Sequence, residues 1–248
     1  MNNAQKDFLR KYISPKYRRI YKKIFSPIFK DLDYYELKYR KEFFQRAFSA
    51  ISFNGIDGDY VEFGCCGCRT FSLAFKMSRR FEMYCKMWAI DSFCGLPPQS
   101  VPEDNHPVWV EGSMSINMDE FKKICAENRI PPEDYKIIPG FYEQSLNNGN
   151  DLPSNICMAY IDCDLYSSSK SVLKFLMPRL KHGMIIAFDD YFCYSATQIS
   201  GERKACAEFF YEHYKWNLVP FMSFGGGGGG MSFVVEDKNH CGQSGSFY

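Results

Sequence analysis

The chain has 248 residues, 46% of them hydrophobic and 24% charged, with a formal net charge of +1. That suits one large α/β domain or two small ones whose core needs no disulfides, and it excludes a nucleic-acid binder that works by net charge alone. No run approaches the roughly 20 apolar residues of a membrane span, and the charged first thirty residues lack the apolar core of a secretory signal. Eleven cysteines, odd in number and scattered, read as reduced, mostly buried thiols of a cytoplasmic protein.

Residues 1–30 hold nine basic side chains against one acid, Asp7, interleaved with Phe8, Tyr12, Ile13, Tyr17, Ile20, Tyr21, Ile24 and Phe25 near helical spacing. The segment therefore reads as a basic amphipathic helix. Such a helix docks on an anionic inner-membrane surface, or it packs its aromatic stripe on the main domain or a second subunit, which makes a homo-oligomer an expectation. Residues 1–54 are predicted as a helical extension, with breaks near Ser14-Pro15 and Ser26-Pro27.

From residue 55 strands and helices alternate. Strands are predicted at Asp59–Phe63, Met87–Ile90, Tyr135–Ile138, Ile156–Ile161, Met184–Phe188, Trp216–Phe221 and Met231–Val235. Helices are predicted at Arg69–Met77, Met118–Asn128, Ser168–Leu180 and Gly201–Tyr214. The pattern predicts a doubly wound, mostly parallel seven-stranded α/β sheet over residues 55–237, with a closing strand pair that supplies one antiparallel member and a loose polar tail at 238–248. A long connection, Cys94 to Asn117, carries four prolines and is predicted to be functional or disordered.

In such sheets ligands bind beyond the carboxyl ends of the strands. The first strand ends in Glu62-Phe63-Gly64 and runs into Cys65-Cys66-Gly67-Cys68. Cys65 and Cys68 have C-x-x-C spacing, which suits a redox thiol at a helix N-terminus, but structural zinc needs a second ligand pair that the chain lacks. The better reading is a tight turn, with Gly64 permitting close backbone approach and Gly67 opening the helix. Asp91 at the second strand end suits ribose hydroxyls. Asp162, Asp164, Asp189 and Asp190 crowd the fourth and fifth strand ends, where like charges repel unless a hard cation such as Mg2+ is bound.

The motifs G-D-Y-V-E-F-G (58–64), D-S-F-C-G-L-P (91–97), P-G-F-Y-E-Q-S-L (139–146), Y-I-D-C-D-L-Y (160–166) and A-F-D-D-Y (187–191) occur in order. Together they resemble the macrocin O-methyltransferase family, Rossmann-like class I enzymes that use S-adenosylmethionine and a metal to methylate sugar hydroxyls. The resemblance covers Gly58 to Val235. It implies that Glu62 and Gly64 line the methionine side of the cofactor, with Gly67 a further cofactor contact. Asp91 and Ser92 would hold its ribose, and Gly140 and Phe141 would lie by its adenine. Asp162, Asp189 and Asp190 match the metal ligands and Asp164 the general base. The acceptor would be a glycan, nucleotide sugar or natural product with vicinal hydroxyls.

His106 and Trp109 are candidate acceptor contacts on the long connection, or anchors of a surface loop. The run Gly225–Gly230 removes side chains from the acceptor-side wall. Two alternatives stand beside the methyltransferase: a metal-dependent glycosyltransferase-like enzyme using Asp162-x-Asp164, and a non-catalytic membrane-surface scaffold.

Overall fold

The computed structural model describes residues 15–106, 109–147, 151–195, 197–226 and 229–239, with side chains from residue 34 onward. A helix α1 (Pro15–Phe53) leads into β1 (Asp59–Phe63) and α2 (Arg69–Arg80). Then come β2 (Met87–Asp91), α3 (Met118–Glu127), β3 (Tyr135–Pro139) and a one-turn α4 (Tyr142–Ser145). The second half is β4 (Ile156–Ile161), α5 (Tyr166–Leu176), β5 (Ile185–Phe188), α6 (Gly201–Glu212), β6 (Trp216–Phe224) and β7 (Gly230–Asp237). The seven strands form one sheet in the order β3-β2-β1-β4-β5-β7-β6. The first five strands are parallel, and β7 runs antiparallel to both β5 and β6.

Strands buried on both faces need apolar side chains at every position, and β2, β4 and β5 are buried throughout. The two faces make two core clusters. One holds Phe43, Phe44, Phe48, Phe71 and Phe121 of the helices against Tyr60, Met158 and Tyr160. The other holds Val172, Leu173, Leu176, Ala205 and Cys206 against Val61, Phe63, Ile161 and Phe188. Each large apolar side chain withdrawn from water stabilises the fold by about 1.5–3 kcal/mol. Pro220 sits in β6, the sheet edge, beside a register shift, where a missing N–H costs no ladder bond.

The expected break at Ser26-Pro27 does not occur: α1 runs unbroken for 39 residues. An interior proline deletes one hydrogen bond at a cost of about 3 kcal/mol, which a helix anchored along its C-terminal half by Phe43, Phe44, Ala47, Phe48 and Ile51 absorbs. The helix predicted at Ser168–Leu180 starts two residues earlier, at Tyr166, and ends at Leu176, because Pro178 turns the chain into a 3-10 segment, Met177–Arg179. The membrane-docking expectation for residues 1–30 falls on residues 1–14, which lie outside the described residues, and on a helical stretch whose side chains do. No described helix is long and apolar enough to cross a membrane.

Candidate active site

The sheet order reverses between β1 and β4, both of which pair in parallel with strands on either side. Helices leave these two strands toward opposite faces, so a crevice opens at their carboxyl ends. A cavity of about 950 Å³ fills it, lined from the ends of β1, β2, β4 and β5, from the connection after β2 and from α1.

The floor is set by Gly64. Its amide donates to the carbonyl of Ile90 at 3.0 Å, while the carbonyl of Phe63 accepts from Asp162 N at 2.8 Å. Gly64 has φ +90°, and a Cβ there would stand 1.8 Å from the Asp162 carbonyl oxygen. Only glycine fits. The chain then makes a 3-10 turn, Cys66–Cys68, through Gly67 at φ +75°, and α2 starts at Arg69.

The cysteines of this turn are free thiols. Burial pushes the Cys65 thiol up. Cys68 is raised by its contact with the Cys125 thiol, 3.7 Å away, and by burial. Burial also lifts the more exposed Cys66 to about 11. A redox C-x-x-C needs a lowered thiol pKa, and none of these three thiols shifts that way.

Asp91 is locked in place. Oδ2 accepts from Cys65 N at 2.6 Å, and Oδ1 accepts from Phe93 N at 2.7 Å and from the Ser92 hydroxyl at 3.4 Å. Burial raises its pKa against those bonds. Phe93 holds φ +55°, a left-handed conformation that costs an aromatic residue about 1–3 kcal/mol. Gly140 N donates to the Asp91 carbonyl at 2.9 Å, and Phe141 after it lines the cavity, as does Tyr142.

Across the crevice, Asp162, Asp164, Asp189 and Asp190 all line the same cavity. Burial first, then the neighbouring carboxylates, pushes Asp162 and Asp190 well above the usual carboxylate range, and Asp164 to about 7. Asp164 holds φ +61°, a conformation aspartate tolerates better than most residues. Beneath them lies Glu202 of α6, wholly buried, whose two oxygens accept from Cys163 N at 2.9 Å and Asp190 N at 3.0 Å. One carboxylate thus fixes the loops after β4 and β5 together. Asp189 is bonded by Arg40 of α1, with Nε to Oδ1 at 3.0 Å and Nη2 to Oδ2 at 2.6 Å, and by the Tyr160 hydroxyl.

The donor set fits a hard divalent cation in its chemistry, being all carboxylate oxygen with more negative charge than Arg40 offsets. As the side chains stand, no three of the described histidine, cysteine, aspartate and glutamate residues form a ready metal cage.

The sequence-predicted residues separate clearly. Gly64, Gly67, Asp91, Ser92, Phe141, Trp109 and the four aspartates share the cavity wall. Glu62 does not. It is wholly buried one layer below, bonded by the hydroxyl of Tyr60 and by that of Thr70 at 2.7 Å, and burial raises its pKa to about 8. Thr70 is the cavity-lining member of that trio. His106 lies off the wall, its ring 4.1 Å from that of Trp109, which is 5% exposed.

The connection bearing Trp109 is tied down by Asp104, which is fully buried. Asp104 accepts from Ser167 N and Oγ at 2.9 and 2.8 Å. At the glycine run, Gly230 is packed rather than loose: a Cβ there would stand 2.4 Å from the Phe188 carbonyl oxygen. Residues missed in the sequence are Arg40, Glu202, Asp104 and Thr70. Arg40 could have been found by continuing the Phe43-Phe44-Ala47-Phe48 face back one turn.

The model of the macrocin-O-methyltransferase (TylF) family matches residues 38–213, from α1 to the end of α6. The chain belongs to this family. A curated relative, the 8-demethyl-8-(2,3-dimethoxy-alpha-L-rhamnosyl)-tetracenomycin-C 4'-O-methyltransferase of Streptomyces olivaceus, is 25% identical over 146 residues, 56% of this chain and 54% of that one. The chain thus spans about half the length of the curated relative it matches. Among solved structures it resembles the O-methyltransferase NovP, with a TM-score of 0.64 at 20% identity over 79% of this chain and 78% of that one. It also resembles CalS11, a calicheamicin methyltransferase, with a TM-score of 0.59 at 17% identity over 93% and 90%. Both likenesses carry the fold, a class I O-methyltransferase sheet.

Proposed function

We propose that this macrocin-O-methyltransferase family member transfers a methyl group from S-adenosylmethionine to a hydroxyl of a sugar-like acceptor. The observation that carries the reading is the single cavity. It joins Gly64 and Asp91, the edge we assign to the adenosine and its methionine arm, to Asp164, the edge we assign to the proton. Family membership favours this over a glycosyltransferase using Asp162-x-Asp164.

S-adenosylmethionine supplies an electrophilic sulfonium methyl. Asp91, whose oxygens are held by two amides, keeps acceptor capacity for ribose hydroxyls. Gly64 lets the bound molecule lie against bare backbone, and Phe141 offers a ring face to the adenine. A divalent cation, Mg2+ by donor chemistry, would be held by Asp162, Asp189 and Asp190, and would supply Lewis acidity that lowers the pKa of a bound hydroxyl. Asp164 Oδ accepts the hydroxyl proton, being the carboxylate of this wall that is left out of the cation set. Trp109 covers the acceptor side and limits water. Alignment of the two partners supplies most of the acceleration. A natural-product sugar, a nucleotide sugar and a glycan all carry the vicinal hydroxyls this wall suits. Self-association through α1 belongs to the same reading, supported by the exposed rings of Tyr34, Tyr35 and Tyr39.

The deciding experiment is calorimetric titration with S-adenosylhomocysteine, with and without Mg2+. Micromolar binding that Asp91→Ala abolishes supports the reading. No binding under either condition overturns it.

A further inference from the structure

Asp189 enters the proposed cation set already partnered. The Arg40 guanidinium forks onto both of its oxygens, with the Arg40 side chain 17% exposed and that of Asp189 7% exposed. Among the described residues, no lysine or arginine forms an ion pair with Asp162, Asp164 or Asp190. The pairing is not a surface accident. The buried face of α1 packs Phe44 5.2 Å from the ring of Tyr160 and stacks Phe43 4.2 Å from that of Phe224. One turn back toward the N-terminus, about 5 Å along the axis, the same face reaches the carboxyl edge of the sheet and delivers Arg40. Tyr160, clasped by that aromatic face, donates its hydroxyl to the same Asp189.

We propose that Arg40 is the resident counter-cation of Asp189 and competes with the divalent ion for that carboxylate, so that α1 sets the metal affinity of the site. This rests on the reading that Asp162, Asp189 and Asp190 hold the ion. The planar fork uses an oxygen lone pair on each side of the carboxylate. An incoming ion strips one of those bonds or shares an oxygen with a like charge a few ångströms away, and either lowers its affinity. Arg40 is thus a positioning residue: it keeps the carboxylate cluster folded and aimed while no ion is bound, and yields when one arrives.

The test is calorimetric titration of Mg2+ into the full chain, without donor or acceptor, for the wild type, Arg40→Gln, Arg40→Lys and Asp162→Asn. Arg40→Gln removes one positive charge from the site and is expected to bind Mg2+ about tenfold more tightly, which corresponds to about 1.4 kcal/mol. Arg40→Lys keeps the charge but loses the fork and is expected to fall between wild type and Arg40→Gln. A role confined to folding would weaken Mg2+ binding in both variants. Equal or weaker binding in Arg40→Gln, with a native circular-dichroism spectrum, overturns the inference. It leaves the metal reading standing if the wild type binds and Asp162→Asn does not. If Arg40→Gln does not fold, Arg40→Lys decides: equal or weaker binding than wild type overturns the inference. Failure of the wild type and both Arg40 variants to bind Mg2+ overturns the metal reading and this inference with it.

Discussion

At the ends of β1, β2 and β3 the cavity wall combines Gly64 and Gly67 with Asp91, whose oxygens are fixed by the amides of Cys65 and Phe93, and with Arg69 and Glu143. At the ends of β4 and β5 it is made of four carboxylates, steadied from below by Glu202 and from the side by Arg40 and Tyr160. The first half carries charges of both signs and is held by bonds between neighbouring turns. The second is crowded with like charge and depends on partners from α1 and α6, more than a hundred residues apart in the chain. A wall that must fit one donor molecule can be built locally. A wall that must concentrate negative charge needs distant supports, because burial and mutual repulsion both oppose it.

The largest expected effect tests the division of labour. Asp164→Asn should cut turnover by about 10²–10⁴-fold, the range for losing a general base, while S-adenosylhomocysteine binding stays at the wild-type value. Loss of both together would erase the boundary between the halves. Asp91→Ala should do the reverse, weakening S-adenosylhomocysteine about 100-fold, since each hydrogen bond to a charged group contributes about 1.5–3 kcal/mol. Calorimetry reads this directly, and a wild-type affinity would remove Asp91 from the donor half.

Glu202→Ala leaves the amides of Cys163 and Asp190 without their acceptor and should destabilise the fold by about 2–4 kcal/mol in urea unfolding. A neutral result would show that the charged half does not need its lower support.

The last effect concerns pH. The Glu62 carboxyl, pushed up by burial, has a folded pKa of about 8 against the ordinary 4.5. Between those values the folded chain keeps a proton that the unfolded chain has released. Stability is therefore greatest below pH 4.5 as far as this group goes, and falls as pH rises toward 8, by at most about 1.4 kcal/mol per unit. Glu62→Gln should flatten that slope when unfolding is compared at pH 6 and pH 8. An unchanged slope would show that Glu62 is ionised in the fold.

The sheet and the strand-end chemistry were legible in the residues because both are local. Continuous apolar runs define β2, β4 and β5, and the glycine or acid that follows each strand marks its end. Asp91, Asp162, Asp164, Asp189 and Asp190 were found that way, and the cavity unites them. Glu62 looked like a wall residue because it adjoins Gly64. Strand alternation instead points it to the α1–α2 layer, where Tyr60 and Thr70 take its oxygens. Arg40, Glu202 and Asp104 were not legible. Each sits in a run of ordinary helix or loop residues, and its importance comes from a partner far away in the chain: Asp189, Cys163 and Ser167 respectively. Pro27 misled in the opposite direction, since its penalty is fixed while the packing that outweighs it is tertiary.

The approach of Gly64 to the Asp162 carbonyl makes the two halves one mechanism in the literal sense, with a hinge pin shared between them. Any bulk inserted at residue 64 acts as a wedge between β1 and β4, prying the donor platform away from the strand that carries the base. Alanine alone would set its Cβ 1.8 Å from that carbonyl oxygen, so even the smallest insertion drives the two platforms about an ångström or more apart. Since the proposed reaction needs them at a fixed spacing, residue 64 is a gap with no clearance to spare.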